Sequence, residues 1–162
     1  MAQITCRYFS DVLGMSMTAT VILPQAVNQQ IGMASAPARA ALPTLYLLHG
    51  LSDDDSVWLR RTSIERYVAD RSLAVVMPNV HRSFYSNQVD GYPYFTHLID
   101  ELPRIMGGFF PLSSRREDTF IAGLSMGGSR SIQSSTEQTP PVRSRSVVVG
   151  RTRRSQLPRM DR

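Results

Sequence analysis

The residues best suited to chemistry lie in one short stretch, Gly123-Leu124-Ser125-Met126-Gly127. Three apolar residues precede it and another glycine follows, so the pattern predicts a buried strand that turns sharply into a helix. Glycines two positions either side of Ser125 would let the helix return against the strand without a side-chain clash. Such a turn presents the Ser125 hydroxyl and the Met126 N–H to the same point, as a serine nucleophile requires. The alternative interpretation is an ordinary turn rich in glycine and serine.

Alternating strand and helix patterns surround this turn. Short apolar runs predict three central strands, and two patterned segments predict helices between them. The strands are Thr44–Leu48, Leu73–Met77 and Asp118–Ala122, and the helices are Ser56–Asp70 and Thr96–Phe110, the latter kinked at Pro103. Gln3–Phe9 and Met15–Leu23 predict two further strands at one edge. The order predicts an α/β fold with a mostly parallel sheet flanked by helices.

Five separated blocks of this sequence carry a resemblance to a known family. They are Leu47-Leu48-His49-Gly50-Leu51, Trp58, Val75-Val76-Met77-Pro78-Asn79, Asp100-Glu101-Leu102-Pro103, and Thr119 to Gly128. In this order they resemble the tributyrin-esterase branch of the esterase D family of α/β-hydrolases. S-formylglutathione hydrolases and secreted mycolyltransferases are more distant relatives. The resemblance covers residues 1–128 and implies the N-terminal half of an α/β-hydrolase that ends just after the nucleophile elbow, as the Ser125 turn is called in that fold.

The resemblance implies a serine esterase that acts on small acyl esters of short chain length, with neither a cofactor nor a metal. Ser125 would be the nucleophile, and the backbone N–H groups of Met126 and Leu51 would form the oxyanion hole. His49 is expected to shape the loop that carries Leu51, and a simple strand-ending turn is the alternative for this segment. Candidates for the acyl pocket are Tyr85, Tyr92, Tyr94 and Trp58, and core packing is the preferred role of Trp58.

The chain departs from the family in lacking a recognisable base. The triad order of this fold is Ser, then Asp or Glu, then His, yet His49, His81 and His97 all precede Ser125. The only later acids are Glu137 and Asp161. We therefore expect the 162-residue chain to be a very weak or inactive esterase. Two alternatives are a substitute base at His81 or His97, and a non-catalytic binding module with a basic tail.

Residues 129–162 have a different composition from the rest. All 18 basic residues are Arg, and eight of them lie after Gly128, against two acids. Ser, Gln, Thr and Pro fill most of the remainder without a helical period, which is typical of disorder. Re-reading Ser129 to Ser155 one base downstream can yield a helix and strand pattern, so we interpret this tail as the product of a frameshift. An arm for anionic partners is the alternative, but no aromatic residues interleave the arginines, which argues against nucleic acid.

The cysteine content and the first residues of the chain bear on its disulfides and its cellular location. Cys6 is the single cysteine, so no internal disulfide can form. The first residues show no signal peptide and no stretch suits a membrane span, so we expect a cytoplasmic protein with no membrane partner. The oligomeric state is left open.

Overall fold

The computed structural model of the chain describes residues 1–27, 31 and 40–128. Five strands form one sheet in the order β1-β2-β4-β3-β5. They are β1 (Ala2–Ser10), β2 (Met15–Leu23), β3 (Thr44–Leu48), β4 (Ala74–Pro78) and β5 (Thr119–Gly123). The three central strands lie within one residue of their predicted bounds.

The sheet is mixed. β1 and β2 form an antiparallel hairpin joined by the turn at residues 11–14, where Gly14 has a φ of +64°. β2 then pairs antiparallel with β4, whereas β3 pairs in parallel with both β4 and β5. The two N-terminal strands therefore extend one edge of a parallel core, as predicted. This topology places the residues that follow β3 and β5 at the same end of the sheet.

Side chains of alternate strand residues pack on opposite faces, because successive residues of a strand point to opposite sides. On one face, strand side chains join those of the second helical region: Val21, Tyr46, Val76 and Ile121 with Leu98, Leu102 and Met106. On the other face they join the first helical region: Ile22, Leu47, Val75 and Met77 with Trp58 and Val68. Helices on both faces confirm the predicted α/β architecture.

The first helical region differs from the single helix predicted over Ser56–Asp70. It forms two short helices, α1 (Val57–Arg61) and α2 (Ile64–Val68). Thr62 separates them, since its hydroxyl donates to the Trp58 carbonyl and accepts from the first N–H of α2 at 3.2 Å. A threonine side chain that replaces helical backbone bonds in this way ends one helix and starts the next.

The second helical region runs through a change of helix type rather than a simple kink. α3 (Tyr94–Thr96) continues into a π-helical turn (His97–Glu101) and then into α4 (Leu102–Phe109). Pro103 lies in the first turn of α4, directly after the π-helical turn, so the change of helix type coincides with a residue that has no N–H to donate. None of the helices within the described residues has the length and apolar character needed to cross a bilayer.

β5 leads directly into the turn that contains Ser125, and within the described part of the chain it pairs only with β3. Cavities of about 460 Å³ and about 210 Å³ lie along its two faces. The larger is lined by residues that include Tyr46, Pro103 and Thr119, and the smaller by residues that include Leu47, Trp58 and Ala122. The predicted tail, 129–162, lies outside the described residues, and so does most of the predicted loop over 25–41.

Candidate active site

Ser125 lies in the turn that connects β5 to a helical segment at residues 126–128. It is exposed and has a φ of +53°. A non-glycine residue in this left-handed region costs about 1–3 kcal/mol and persists only where surrounding structure imposes it. The strand–turn–helix geometry predicted from the Gly-x-Ser-x-Gly pattern is therefore present, with the serine at its corner.

The glycines on either side of Ser125 occupy places where no side chain fits. A Cβ added to Gly123 would lie 2.6 Å from the carbonyl carbon of Gly127. A Cβ added to Gly127 would lie 2.6 Å from the Leu48 Cβ and 2.9 Å from the His49 oxygen. The helical segment thus returns directly onto β5 and the end of β3, which is why the turn can be so tight.

The loop after β3 lies beside this turn. Leu48 pairs in register with Gly123, and the Leu124 N–H donates to the Leu48 oxygen at 3.2 Å. A Cβ placed on Gly50 would lie 3.8 Å from the Leu124 oxygen. Leu51 then packs against the same apolar cluster in which Met126 is buried. The two backbone donors predicted for the oxyanion hole therefore come from neighbouring loops at one end of the sheet.

The N–H groups of Leu51 and Met126 are not used elsewhere among the residues that the structure describes: neither donates a hydrogen bond to another protein group there. Met126 begins the helical segment, where the first N–H groups have no partner within a helix. Two such donors next to an exposed serine could stabilise a negatively charged oxygen that forms on a bound acyl group.

His49 is almost fully buried, with 1% of its surface exposed, and both of its ring nitrogens are engaged. Nδ1 lies 2.7 Å from the Gly50 carbonyl oxygen, and Nε2 accepts the Val80 N–H at 3.1 Å. This pair of partners fits one neutral tautomer, protonated on Nδ1. Burial lowers the pKa of His49 against the opposing effects of Gly50 and the nearby aspartates. His49 therefore has no nitrogen available for proton transfer with Ser125.

His97 is also fully buried and engaged at both nitrogens. Nε2 lies 3.1 Å from the Tyr8 hydroxyl, and Nδ1 lies 2.7 Å from Glu101 and 3.1 Å from Ser10. Glu101 also accepts the N–H groups of Asp11 and Val12. This network ties the β1–β2 hairpin to the π-helical turn, so its observed contacts are structural.

His81 is the one exposed histidine in the described ranges, and it lies in the loop after β4 with a φ of +53°. Its Nδ1 is 3.2 Å from the hydroxyl of Tyr94, whose ring meets that of His81 edge-on. Nothing in this arrangement links His81 to Ser125, so the role of substitute base receives no support from the observed contacts.

The aromatic candidates for an acyl pocket divide into two groups. Tyr85 is fully buried and donates its hydroxyl to the His49 carbonyl at 3.0 Å, and Trp58 donates to the Leu48 carbonyl at 3.2 Å from within an apolar cluster. Both therefore support the C-terminal end of β3, and Trp58 also lines the smaller cavity beside β5. Tyr92 is 50% exposed and packs edge-on against the buried Tyr94, so Tyr92 is the candidate with the most accessible surface.

Two features of the site were not foreseen from the sequence. One is the bond from Val80 to His49, and the other is the role of Tyr85 beneath the loop. The only sequence feature that could have indicated these contacts is the position of His49 between a buried strand and a glycine. No group of three or more His, Cys, Asp or Glu side chains that could hold a metal occurs in the ranges 1–27, 31 and 40–128.

Known proteins that are similar to this chain indicate its family. An acetyl esterase of Caldicellulosiruptor saccharolyticus is 32% identical over 129 residues, which are 79% of this chain and 48% of that protein. A substrate-bound fluorophosphonate-binding serine hydrolase of Staphylococcus aureus is 43% identical, with a TM-score of 0.70. The S-formylglutathione hydrolase of the same organism is also 43% identical, with a TM-score of 0.67.

Each of the two structural matches covers 82% of this chain and 50% of the other. The chain therefore spans about half the length of the relatives it matches. The esterase family model, described as "Putative esterase", matches residues 10–140, which include the Ser125 turn and the Leu51 loop. With a family match over most of its length and a fold shared with solved members, the chain belongs to this esterase family.

Proposed function

We propose that this chain contributes the first half of a carboxylic-ester hydrolase that works through an acyl-enzyme at Ser125. The observation that carries the proposal is the exposed Ser125 at a φ of +53° between β5 and a helical segment, next to the loop of Leu51. The tight packing of Gly127 against Leu48 and His49 holds this geometry. Membership of the esterase family gives it independent support.

The chemistry follows from the position of these groups. The Ser125 Oγ attacks the ester carbonyl carbon and forms a C–O bond, while the carbonyl π electrons move to the oxygen. The N–H groups of Leu51 and Met126 stabilise that oxyanion, and one such donor contributes about 2.7–4 kcal/mol in a comparable enzyme. The oxyanion then collapses, the bond to the alcohol oxygen breaks, and that oxygen leaves as the alcohol after taking up the proton that Ser125 released. Water hydrolyses the acyl-enzyme through the same sequence of steps.

A short acyl chain is the proposed substrate preference. The relatives with more than 30% identity include one described as an acetyl esterase and one described as an S-formylglutathione hydrolase. Acetyl and formyl are both very small acyl groups. The proposed substrate of this protein is therefore a small-molecule ester with a short acyl chain. A cytoplasmic location stays a prediction from the sequence.

Removal of the proton from the Ser125 hydroxyl is the step for which the 162-residue chain lacks a recognisable base. A serine is activated by a base, which is itself oriented by a carboxylate. His49 and His97 are held by other partners, and no histidine follows Ser125. We therefore propose that this chain by itself reacts slowly, with oxyanion stabilisation as its main remaining catalytic effect.

Covalent labelling tests the assignment of the nucleophile. The purified monomer is incubated with an alkyl fluorophosphonate, and the modified residue is located by mass spectrometry. We expect slow labelling on Ser125 that disappears in Ser125→Ala, with Ser114→Ala as a control because Ser114 is an exposed serine outside the turn. Labelling elsewhere with an unmodified Ser125 would disprove the proposal.

A non-catalytic binding module is the second candidate, favoured by the absence of a histidine after Ser125. It predicts that a short-chain ester binds but is not cleaved, and that Ser125→Ala binds it equally well. Any ester turnover that is lost in Ser125→Ala favours the enzyme instead.

A further inference from the structure

We propose that His49 is a positioning residue of the oxyanion hole, because its Nδ1–H holds the Gly50 carbonyl and thereby orients the Leu51 N–H. The inference rests on the proposed function of the Leu51 N–H. The Gly50 carbonyl and the Leu51 N–H belong to one planar, trans peptide unit, so they point in opposite directions. Any group that fixes the direction of the carbonyl therefore fixes the direction of the N–H.

The contacts of the His49 ring fit this role. Nδ1 lies 2.7 Å from the Gly50 oxygen, and in the tautomer that accepts the Val80 N–H at Nε2, Nδ1 carries the proton and donates it. Val80 is fully buried and lies two residues beyond the end of β4. The ring therefore connects the peptide that carries the donor to the backbone of the buried segment that follows a central strand, in surroundings where water does not compete for either bond.

The neighbouring peptide is fixed as well. The Tyr85 hydroxyl donates to the His49 oxygen at 3.0 Å, and the fully buried Tyr85 ring packs at 5.7 Å from the His49 ring. The Asp53 N–H also donates to the Gly50 oxygen, at the longer distance of 3.2 Å. The His49 bond is thus the shorter of two that hold this carbonyl, and its loss would free the peptide only in part.

Two substitutions separate the two ring nitrogens. His49→Asn places an amide N–H where Nδ1 stands and can keep the bond to the Gly50 oxygen, but it does not reach Val80. His49→Gln places an amide oxygen where Nε2 stands and can keep the bond from the Val80 N–H, but it offers no donor to Gly50. A positioning role predicts that Asn is the better replacement. A purely structural role through Val80 predicts the opposite order.

The first measurement is the second-order rate constant for fluorophosphonate labelling of Ser125 in the full chain. We expect His49→Gln to lower it by about 10- to 100-fold, below the 10²–10³-fold loss reported for removal of a whole oxyanion donor. The labelling rate constant of His49→Asn should be at least about tenfold higher than that of His49→Gln. Ser114→Ala serves as the control, because Ser114 is exposed and lies outside the Ser125 turn and the Leu51 loop.

The second measurement needs no reactivity and uses NMR of the unmodified protein and the two variants. The His49 ring ¹⁵N shifts should show a proton on Nδ1 and none on Nε2. The Leu51 amide resonance should move in His49→Gln much further than in His49→Asn. Because the tautomer is read from the unmodified protein, this test remains decisive even if a variant does not fold.

The outcomes distinguish this inference from the proposed function. A proton on Nε2, or equal labelling rates and Leu51 shifts in the two variants, would overturn the positioning role. If Ser125 is never labelled while the tautomer and Leu51 shifts are as expected, the proposed function fails and the orientation of the peptide by His49 stands. Slower labelling in Asn than in Gln would assign His49 to the support of β4 alone.

Discussion

At the scale of single residues, the close approach of Gly127 to the end of β3 makes a sharp prediction. Gly127→Ala would force a Cβ to within 2.6 Å of Leu48 and 2.9 Å of the His49 oxygen. We expect it to destabilise the fold by about 1–3 kcal/mol through overpacking, and to slow Ser125 labelling as the turn shifts. Urea unfolding measures the first effect.

Gly107→Ala is the matched control for that substitution. Gly107 lies inside α4, and nothing stands within 4 Å of a Cβ at that position. Replacing a helical glycine with alanine should stabilise the chain by about 0.5–1 kcal/mol. If both substitutions changed stability in the same direction, the tight contact at Gly127 would not be the cause.

His49 also predicts how stability depends on pH. Burial is the main reason that its pKa lies below the ordinary value of 6.5. As the pH falls below about 6.5, the unfolded chain binds a proton at this residue before the folded chain does, so the free energy of unfolding decreases. We expect the melting temperature to fall from pH 7 to pH 5, with a shallower fall in His49→Asn. Equal slopes in the two proteins would contradict this origin.

Glu101 should produce a second loss of stability at lower pH. Burial tends to raise its pKa, but hydrogen bonds from Ser10, His97 and the Val12 N–H outweigh burial and hold the pKa below the ordinary 4.5. Stability from this carboxylate is therefore present above about pH 4.5 and is lost as the pH falls through the lower folded pKa. Melting curves at pH 5 to 3 should show this loss, which is expected to be reduced in Glu101→Gln.

At the scale of elements, the edge of β5 that has no partner strand among the described residues is the most consequential feature. Within the described residues β5 pairs only with β3, and an apolar strand at a sheet edge is a site for aggregation. Phe120→Lys places a charge on β5 and should slow aggregation, measured by light scattering at a fixed concentration.

Phe109→Lys is the control for that test, because it makes the same substitution at an exposed position in α4, away from the sheet. We expect it to leave the aggregation rate close to that of the unmodified chain. Equal slowing by both variants would point to general loss of exposed aromatic surface rather than to pairing at the β5 edge.

At the scale of the whole molecule, we expect slow turnover, because no histidine follows Ser125 in the 162 residues. In a comparable triad enzyme that has lost a triad member, oxyanion stabilisation and binding alone still accelerate the reaction about 10³–10⁴-fold over the rate in water. Monomeric 1–162 should therefore hydrolyse p-nitrophenyl butyrate far below the ordinary enzymatic range of about 1–10³ s⁻¹. A rate within that range would contradict the prediction and return attention to His81.

Supplying the second half of a relative tests the same idea in the opposite direction. Residues 1–128 can be joined to the unmatched half of the 43% identical S-formylglutathione hydrolase of S. aureus. We expect this chimera to exceed the turnover of 1–162 by at least about 10³-fold, and to lose that gain in Ser125→Ala. A chimera that folds yet remains as slow as 1–162 would show that more than the base is missing.

The division of the chain at Gly128 stays a prediction, because residues 129–162 lie outside the described part of the structure. The family match reaches residue 140, a little beyond the proposed point of change. Reading the coding DNA downstream of Gly128 in all frames tests the frameshift hypothesis directly.

The sequence by itself determined the strands, the α/β class and the Ser125 turn. These depend on local features: apolar runs of strand length, and glycines at fixed distances from a serine. The break at Thr62 and the π-helical turn before Pro103 were not predicted. In both places a side chain or a missing N–H changes the backbone bonding, and hydrophobic spacing does not reveal such a change.

Only the tertiary structure decided which groups hold the histidine rings. The sequence predicted that His49 shapes the loop of Leu51 and left His81 and His97 as alternatives for a substitute base, but it did not show the contacts of any of the three rings. His49 contacts Val80, 31 residues away, and His97 contacts Tyr8, 89 residues away. The availability of an imidazole for proton transfer depends on which groups hold its two nitrogens. Those groups are brought together by sheet pairing between distant strands, which no local pattern of residues encodes.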